Sequence, residues 1–343
     1  MSNRTEISTL GEFGLIRHLT DRIEIKNNST IKGVGDDAAI LSYDDKQVLV
    51  TTDLLLEGIH FDLTYVPLKH LGYKSAVVNF SDIYAMNGQP KQITVSLGIS
   101  KRFSVEDVED FYAGLKLACD VYGVDIVGGD TSASLTGLCI SITCIGEGEK
   151  DKVVLRSGAK ETDLICVSGD LGAAYMGLQL LEREKRIFKG EKDFTPDFTG
   201  KEYLLERQLK PEARKDIVEM LRNAGVVPTA MMDISDGLSS ELLHISKESN
   251  VGCRVYEDRI PIDYQTAAMA EQFNMNLVTA ALNGGEDYEL LFTVPLTNHE
   301  KVSEIKGIKI IGHITKPDLG NYLVGRDGGE VELKAQGWNS LDE

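Results

Sequence analysis

The sequence predicts an α/β protein with mixed, α+β-type sheets arranged in two domains. Three observations carry that expectation. A chain of 343 residues is long for one domain of ordinary size. Short β-branched apolar runs alternate with longer segments of helical period, the signature of layered sheets and helices. A polar stretch, EKDKVVLRSGAKETD, then interrupts the order near residue 150, and a strand–helix succession starts afresh. The predicted domains are therefore 1–150 and 151–343.

The elements follow in chain order. GEFGLIRHL at 11–19 has the spacing of a short amphipathic helix. A loop rich in Asn, Ser, Gly and Asp ends in Gly33-Val34-Gly35-Asp36-Asp37. AAILS and QVLVTT predict two strands. Residues 71–88 have helical period, with Gly88 and Pro90 placed to end the helix. QITVSLGI predicts a strand, and Ser104 is the expected N-cap of the acidic-started helix EDVEDFYAGLKLACDVYG. GLCISITCIGEG closes the first half as a strand. The second half opens with strand LICVSG and helix LGAAYMGLQLLERE. Residues 186–200 predict an exposed loop, and a helix is expected after Pro211. AMMDIS and DGLSSELLHISKE repeat strand, loop and helix. EDYELLFTV, KGIKIIGHI and NYLVG supply late strands. TTDLL and DISDG place an acidic loop where a strand is expected to meet a helix in each half, a faint hint of duplication.

Composition narrows the function. The formal charge is −18, from 36 basic and 54 acidic residues, which disfavours nucleic acid and anionic membrane as partners. Phosphate ligands remain possible where cations mediate. No apolar run reaches membrane-spanning length, and MSNRTEISTLGEFG lacks a signal core. The five cysteines form no CxxC pair and suggest reduced core thiols in a cytoplasmic protein.

Six short acidic motifs carry the chemistry. They are Gly35-Asp36-Asp37, Thr51-Thr52-Asp53, Ser81-Asp82, Gly128-Gly129-Asp130, Asp233-Ile234-Ser235-Asp236-Gly237 and Gly284-Gly285-Glu286-Asp287. Each has a bland alternative. GDD and GGD suit turns, Ser-Asp suits a solvated helix face, and DISDG suits a helix cap. GGED offers no structural need for two acids beside a buried strand. Six such sites without His or Cys alternatives point to hard-metal coordination, with Asp and hydroxyl oxygens around Mg²⁺. No GxxxxGK[ST], kinase HRD or DFG set, or GxSxG elbow is present.

GVGDDAAI, TTDLLLEGIHF, VNFSDIYAMNG, VGGDTS, LRSGAK, DISDGLSSEL and NGGEDYELLFTV, in this order, resemble the thiamine-monophosphate kinase family over roughly residues 10–340. That family is grouped with aminoimidazole-ribonucleotide synthetase, selenophosphate synthetase and a hydrogenase-maturation enzyme. The resemblance implies a two-domain fold whose N-terminal domain binds ATP and Mg²⁺ and forms a homodimer with a β-barrel core. It implies metal ligation by Asp36, Thr51, Thr52, Asp53, Asp82, Asp130, Asp233 and Asp236. It implies nucleotide contacts at Tyr112, Gly129, Asp130, Arg156 and Ser235, and substrate contacts at His60, Glu286 and Trp338. Asp82, Asp130 and Arg156 would be catalytic. The C-terminus departs from the family, which often reads Gly-aromatic-x-His-Phe where this chain has Gly-Trp-Asn-Ser.

The implied reaction uses ATP and several Mg²⁺ ions to convert thiamine monophosphate to thiamine diphosphate. A phosphate acceptor is largely ionised at neutral pH, so no base is required. The obstacle is repulsion between two polyanions, which divalent cations relieve. Two alternatives stand beside this. One is a sister enzyme forming an amidine or selenophosphate, although the first cysteine here is Cys119 and the chain ends Ser-Leu-Asp-Glu. The other is a non-catalytic divalent-cation-binding scaffold.

Overall fold

A computed structural model describes residues 5, 15, 18–20, 23–32, 40–187 and 198–335. The chain divides into two units, Met1–Ile83 with Gly88–Asp151, and Tyr84–Asn87 with Lys152–Glu343. Part of the predicted helix at 11–19, the Asp36 and Asp37 turn, most of the predicted loop at 186–200 and Trp338 lie outside the described residues.

The first unit holds a small ribbon, β1 (Thr30–Lys32) with β2 (Ile40–Leu41), and a four-stranded sheet. The sheet comprises β3 (Gln47–Leu56), β4 (Gln89–Ile99), β5 (Asp125–Ala133) and β6 (Cys139–Gly148), in the order β3-β6-β4-β5. Only the β4–β5 pair is parallel. The unit also holds two long helices, α1 (Leu68–Ala85) and α2 (Val105–Tyr122).

Side chains alternate across β6: Ile140, Ile142 and Cys144 are buried, while Ser141, Thr143 and Ile145 are half-exposed. The buried face is the one under α1, because a Cβ on Gly146 would meet the Ile83 side chain at 2.5 Å. α1 and α2 themselves meet through glycines. A Cβ on Gly72 would lie 1.9 Å from the Phe111 carbonyl oxygen, and one on Gly114 would lie 1.7 Å from that of Lys69. Ser104 caps α2 as expected, in a reciprocal capping box with Asp107.

α1 stops at Ala85, just ahead of Gly88 and Pro90 as expected, but Pro90 is not part of a turn. It lies inside β4, at a register shift between Pro90 and Gln92 where the missing N–H is tolerated. The TTDLL loop needs correction, since Asp53 lies within a strand, and Asp130 likewise lies within a strand rather than in the turn that GGD would also suit. The duplication hint rested on TTDLL being a strand–helix loop, and β3 runs straight through it.

The second unit is built on a seven-stranded sheet. Its strands are β7 (Leu164–Ser168), β8 (Ala230–Asp233), β9 (Gly252–Tyr256), β10 (Leu290–Val294), β11 (Ile308–Thr315), β12 (Asn321–Val324) and β13 (Glu330–Glu332). The order is β13-β12-β9-β11-β7-β10-β8, antiparallel except for β12 with β9. Every residue of β7 and β10 is buried.

Around the sheet run α3 (Ala173–Ile187), α4 (Glu202–Leu209), α5 (Lys215–Asn223), α6 (Leu238–Ser249), α7 (Tyr264–Gln272), α8 (Leu277–Asn283) and α9 (His299–Glu304). One core joins the sheet to α6 and α8 through Leu238, Leu242, Ile245 and Ala281. A second core joins α3, α4, α7 and α8 through Met176, Leu180, Leu204, Met269 and Ala280. α4 is a helix the sequence did not predict. No helix among the described residues is long and apolar enough to cross a membrane.

Candidate active site

Strand alternation decides which of the Thr51-Thr52-Asp53 side chains meet. Leu49, Thr51, Asp53 and Leu55 share the face under α1, whereas Val48, Val50, Thr52 and Leu54 share the other. On the helix side the Thr51 hydroxyl donates to Asp82 Oδ2 at 2.5 Å. Asp82 sits in the last turns of α1, after the fully buried Ser81. Burial first, and the Asp82 carboxylate second, push the Asp53 carboxyl up to about 6. An acid whose proton affinity is raised by burial and by a second acid at a strand–helix contact suits a cation. Thr52 is not brought to this group. It faces the opposite side of the sheet, donating to Ile142 O and accepting from Thr143.

His60 follows β3 in a turn closed by the Glu57–Phe61 bridge. Its Nδ1 accepts the Leu56 N–H at 3.1 Å. That bond places the neutral ring's proton on Nε2. Glu57 secures the turn, accepting the Leu138 N–H at 2.8 Å and pairing with Arg102. Those partners hold its carboxyl below the usual range despite some burial.

Gly129 and Asp130 lie on β5, opposite Val95 and Ser96. Gly129 has a packing reason, for its Cβ would fall 1.9 Å from the Val95 carbonyl oxygen. Asp130 is exposed, in register with exposed Ser96 on the face away from α1. Asp53 and Gly129 are three strands apart along the row Asp53–Ile142–Val95–Gly129. At ~4.8 Å per strand the separation is about 14 Å. A single chain therefore does not bring Asp130 to the Asp53–Asp82 group. Tyr112 is buried on α2, its hydroxyl pushed up to about 12 by burial.

In the second unit DISDG and GGED come together. Asp233 ends β8 and is buried, Ile234 is fully buried, and Asp236 is exposed. The Glu286 N–H donates to Ser235 O at 2.7 Å, and the Tyr288 N–H to Ile234 O at 2.9 Å. A Cβ on Gly285 would lie 2.2 Å from Ser235 O, so only glycine permits this approach. Glu286 then adopts φ 66° and Tyr288 φ 52°, left-handed conformations rare for such residues. They also explain why β10 starts only at Leu290 rather than at Glu286.

The second acid of GGED does have a structural need. Asp287 is buried and accepts from the Gly172 N–H at 2.7 Å and the Ala174 N–H at 3.3 Å, the first turn of α3. Glu289, also buried, pairs with Arg207 at 2.7 Å and with Arg214. Burial pushes the Asp287 carboxyl up to about 6, although Arg207 opposes the shift. Glu286 is held differently, its Oε2 accepting from Gln208 Nε2 at 2.7 Å.

Arg156 is exposed beside β8, where Leu155 O accepts the Met231 N–H at 3.0 Å. Residues 158 and 159 are pinned by the Ser249 hydroxyl through their N–H groups, both at 3.1 Å.

The sequence missed two supports. Gln208 lies on the unpredicted α4, and no motif marks it. Glu241 lies in the first turn of α6, where an acid is ordinary. Its burial could not be read from spacing. Burial pushes its carboxyl up to about 8, with Asp236 and Asp233 adding to the shift.

No three His, Cys, Asp or Glu side chains among the described residues converge at metal-ligand geometry. The donor set is nonetheless suited to Mg²⁺. In the first unit the donors are all oxygen and set one acid against another, and in the second unit, near Asp233 and Asp236, the buried Glu241 Oε2 has no hydrogen-bond partner.

Residues 35–147 match the model of the AIR synthase related protein family, N-terminal domain. That defines the class. Among the similar proteins, the thiamine-monophosphate kinase of Aquifex aeolicus is 36% identical, covering 91% of this chain and 97% of its own length. That of Bacillus subtilis is 32% identical, covering 96% and 99%. A solved structure described as AaThiL complexed with AMPPCP and TMP is 35% identical with a TM-score of 0.75, covering 99% of this chain and all of that one. The chain belongs to the thiamine-monophosphate kinase family. As a member it is a phosphotransferase.

Proposed function

We infer that the chain transfers the γ-phosphate of ATP directly to the phosphate of thiamine monophosphate, giving thiamine diphosphate and ADP in thiamine diphosphate biosynthesis. The relative solved with AMPPCP, an ATP analogue, and TMP supports this pair of substrates. The single observation that carries the metal dependence is the Thr51–Asp82–Asp53 group, in which an acid is raised to about 6 beside a second acid.

Mg²⁺, when bound, supplies positive charge between carboxylates and phosphate oxygens. The chain's own residues supply placement. Thr51 and α1 fix Asp82 against Asp53. Asp36, Asp130, Asp233 and Asp236 complete the proposed ligand set, with Thr52 able to contribute only through its backbone because its side chain faces the other side of the sheet. Tyr112, Gly129, Ser235 and Arg156 serve the nucleotide, and Arg156 places a fixed positive charge beside the transferring group. His60 offers an Nε2–H donor to substrate, Glu286 an acceptor, and Trp338 an aromatic surface. No residue acts as general base, because the acceptor oxygen is already ionised.

The reading includes a homodimer with a barrel core built on the first unit, 1–150, and a distinct second domain, 151–343. Val48, Val50 and Leu54 form an exposed apolar row on edge strand β3, with Val50 66% exposed. Such a row on an edge strand favours pairing. Within one chain Asp130 lies three strands from Asp53, so a site using both would need an Asp130 from a second copy. A cytoplasmic location is supported by the free thiols of Cys119, Cys144, Cys166 and Cys253, all buried.

The test is a transfer assay with ATP, Mg²⁺ and either thiamine monophosphate or thiamine, with products weighed by mass spectrometry. Thiamine diphosphate and ADP are expected in equal amounts from the monophosphate alone. Phosphorylation of thiamine with none of the monophosphate would overturn the acceptor assignment.

A further inference from the structure

α6 opens in an unusual way. Its N-cap is Gly237, at φ 123°, which brings no side chain to the helix end. Glu241, four residues on, folds back instead, and its Oε1 accepts the Asp236 N–H at 2.9 Å. A glutamate in that role normally lies at the surface, where water takes its second oxygen. Here the residue is 1% exposed, and Oε2 has no hydrogen-bond partner. Holding one backbone turn requires only one oxygen and no burial. A buried carboxylate oxygen without a partner is strongly disfavoured. Its neighbours Asp233 and Asp236 carry the same sign of charge and make matters worse. Uptake of a proton would neutralise Glu241 alone, whereas a positively charged group, or a donor carried by one, would relieve all three acids together.

Direct coordination by all three acids does not fit, because no such triple converges among the described residues. Mg²⁺ characteristically keeps several of its waters, and those waters donate to acceptors just beyond the ligands. We propose that Glu241 is a positioning residue of the cation site at Asp233 and Asp236, its Oε1 fixing the turn that carries Asp236 and its Oε2 accepting from a water on the cation. The proposal rests on the metal-dependent reading of the site. It adds a residue outside the proposed ligand set and states what each of its oxygens does.

Glu241→Gln separates the two oxygens. Glutamine keeps an acceptor for the Asp236 N–H and fills the same volume, but its second position becomes a donor. The probe is Mn²⁺, titrated into the full chain with and without a non-hydrolysable ATP analogue and followed by the free-ion electron paramagnetic resonance signal. Thermal melts in EDTA run alongside. The variant is expected to melt in EDTA at or above the wild-type temperature, since a neutral amide replaces a buried acid. Its Mn²⁺ half-saturation at one class of sites is expected to rise roughly ten- to a hundredfold.

Unchanged Mn²⁺ affinity in Glu241→Gln, with wild type binding normally, would leave Glu241 a plain helix cap and overturn the proposal alone. A lower EDTA melting temperature in Glu241→Gln would also overturn it, by showing that Oε2 already has a partner within the fold. Failure of wild type to bind Mn²⁺ with or without nucleotide would overturn the metal reading itself.

Discussion

If Asp53 is a metal ligand as proposed, metal uptake there is coupled to loss of a proton. The Asp53 pKa of about 6 in the fold stands above the ordinary 3.8. Below roughly pH 4 the group is protonated in both folded and unfolded chains. Between about 4 and 6 the folded chain keeps a proton that the unfolded chain releases. Metal-free stability should therefore fall as pH rises through that window, with the penalty fully present above it. Mg²⁺ must displace the same proton, so the melting-temperature gain from Mg²⁺ should be largest above about pH 6 and shrink toward pH 5. A gain that is flat with pH would remove Asp53 from the site.

Neighbouring acids should separate cleanly in a second comparison. Asp287→Ala removes the acceptor at the start of α3 and a partner of Arg207, and should cost roughly 3–5 kcal/mol in denaturant unfolding. Glu286→Gln should change stability little and raise KM for the phosphate acceptor. The sequence made these residues visible as a pair but could not rank them. Its pattern showed two acids beside a buried run, while the helix that consumes Asp287 lies more than a hundred residues away. Thr52 shows the same limit at shorter range. TTD reads as one unit, yet strand alternation sends Thr51 and Thr52 to opposite faces.

At the scale of elements, local chemistry was the most legible part. The Ser104–Asp107 capping box was visible as an N-cap before an acidic first turn, and α2 runs where that signal puts it. Long-range approach was not legible. Gly72 and Gly114 read as unremarkable interruptions of helices, but they are where α1 crosses α2. Gly114→Ala would place a carbon 1.7 Å from a backbone carbonyl that cannot easily move. A loss of about 1–3 kcal/mol is expected, read as an earlier first unfolding transition. Because α1 also carries Asp82, the same variant should weaken Mg²⁺ binding, whereas Gly123→Ala, at φ 71° in open space, should affect stability without that loss. α4 escaped notice because Glu202–Leu209 is short and follows a polar stretch, and its half-buried Arg207 and buried Gln208 look like surface residues in sequence.

At the scale of the whole molecule, the exposed row on β3 is the testable surface. If the chain pairs through this row as proposed, Val50→Glu should shift it to a monomer in sedimentation velocity, and should abolish transfer if a second copy is needed to bring an Asp130 near Asp53. A monomeric variant with full activity would place the site within one chain. The wider question is how a chain of net charge −18 holds two polyanions at all. Six acidic motifs answer it only if cations mediate every phosphate contact but that of Arg156. The most direct measurement is calorimetric titration of a non-hydrolysable ATP analogue into the protein, first in EDTA and then across a range of Mg²⁺ concentrations. No binding is expected in EDTA, with affinity rising steeply and with more than one Mg²⁺ taken up per nucleotide. Equal affinity in EDTA and in Mg²⁺ would contradict metal-mediated binding.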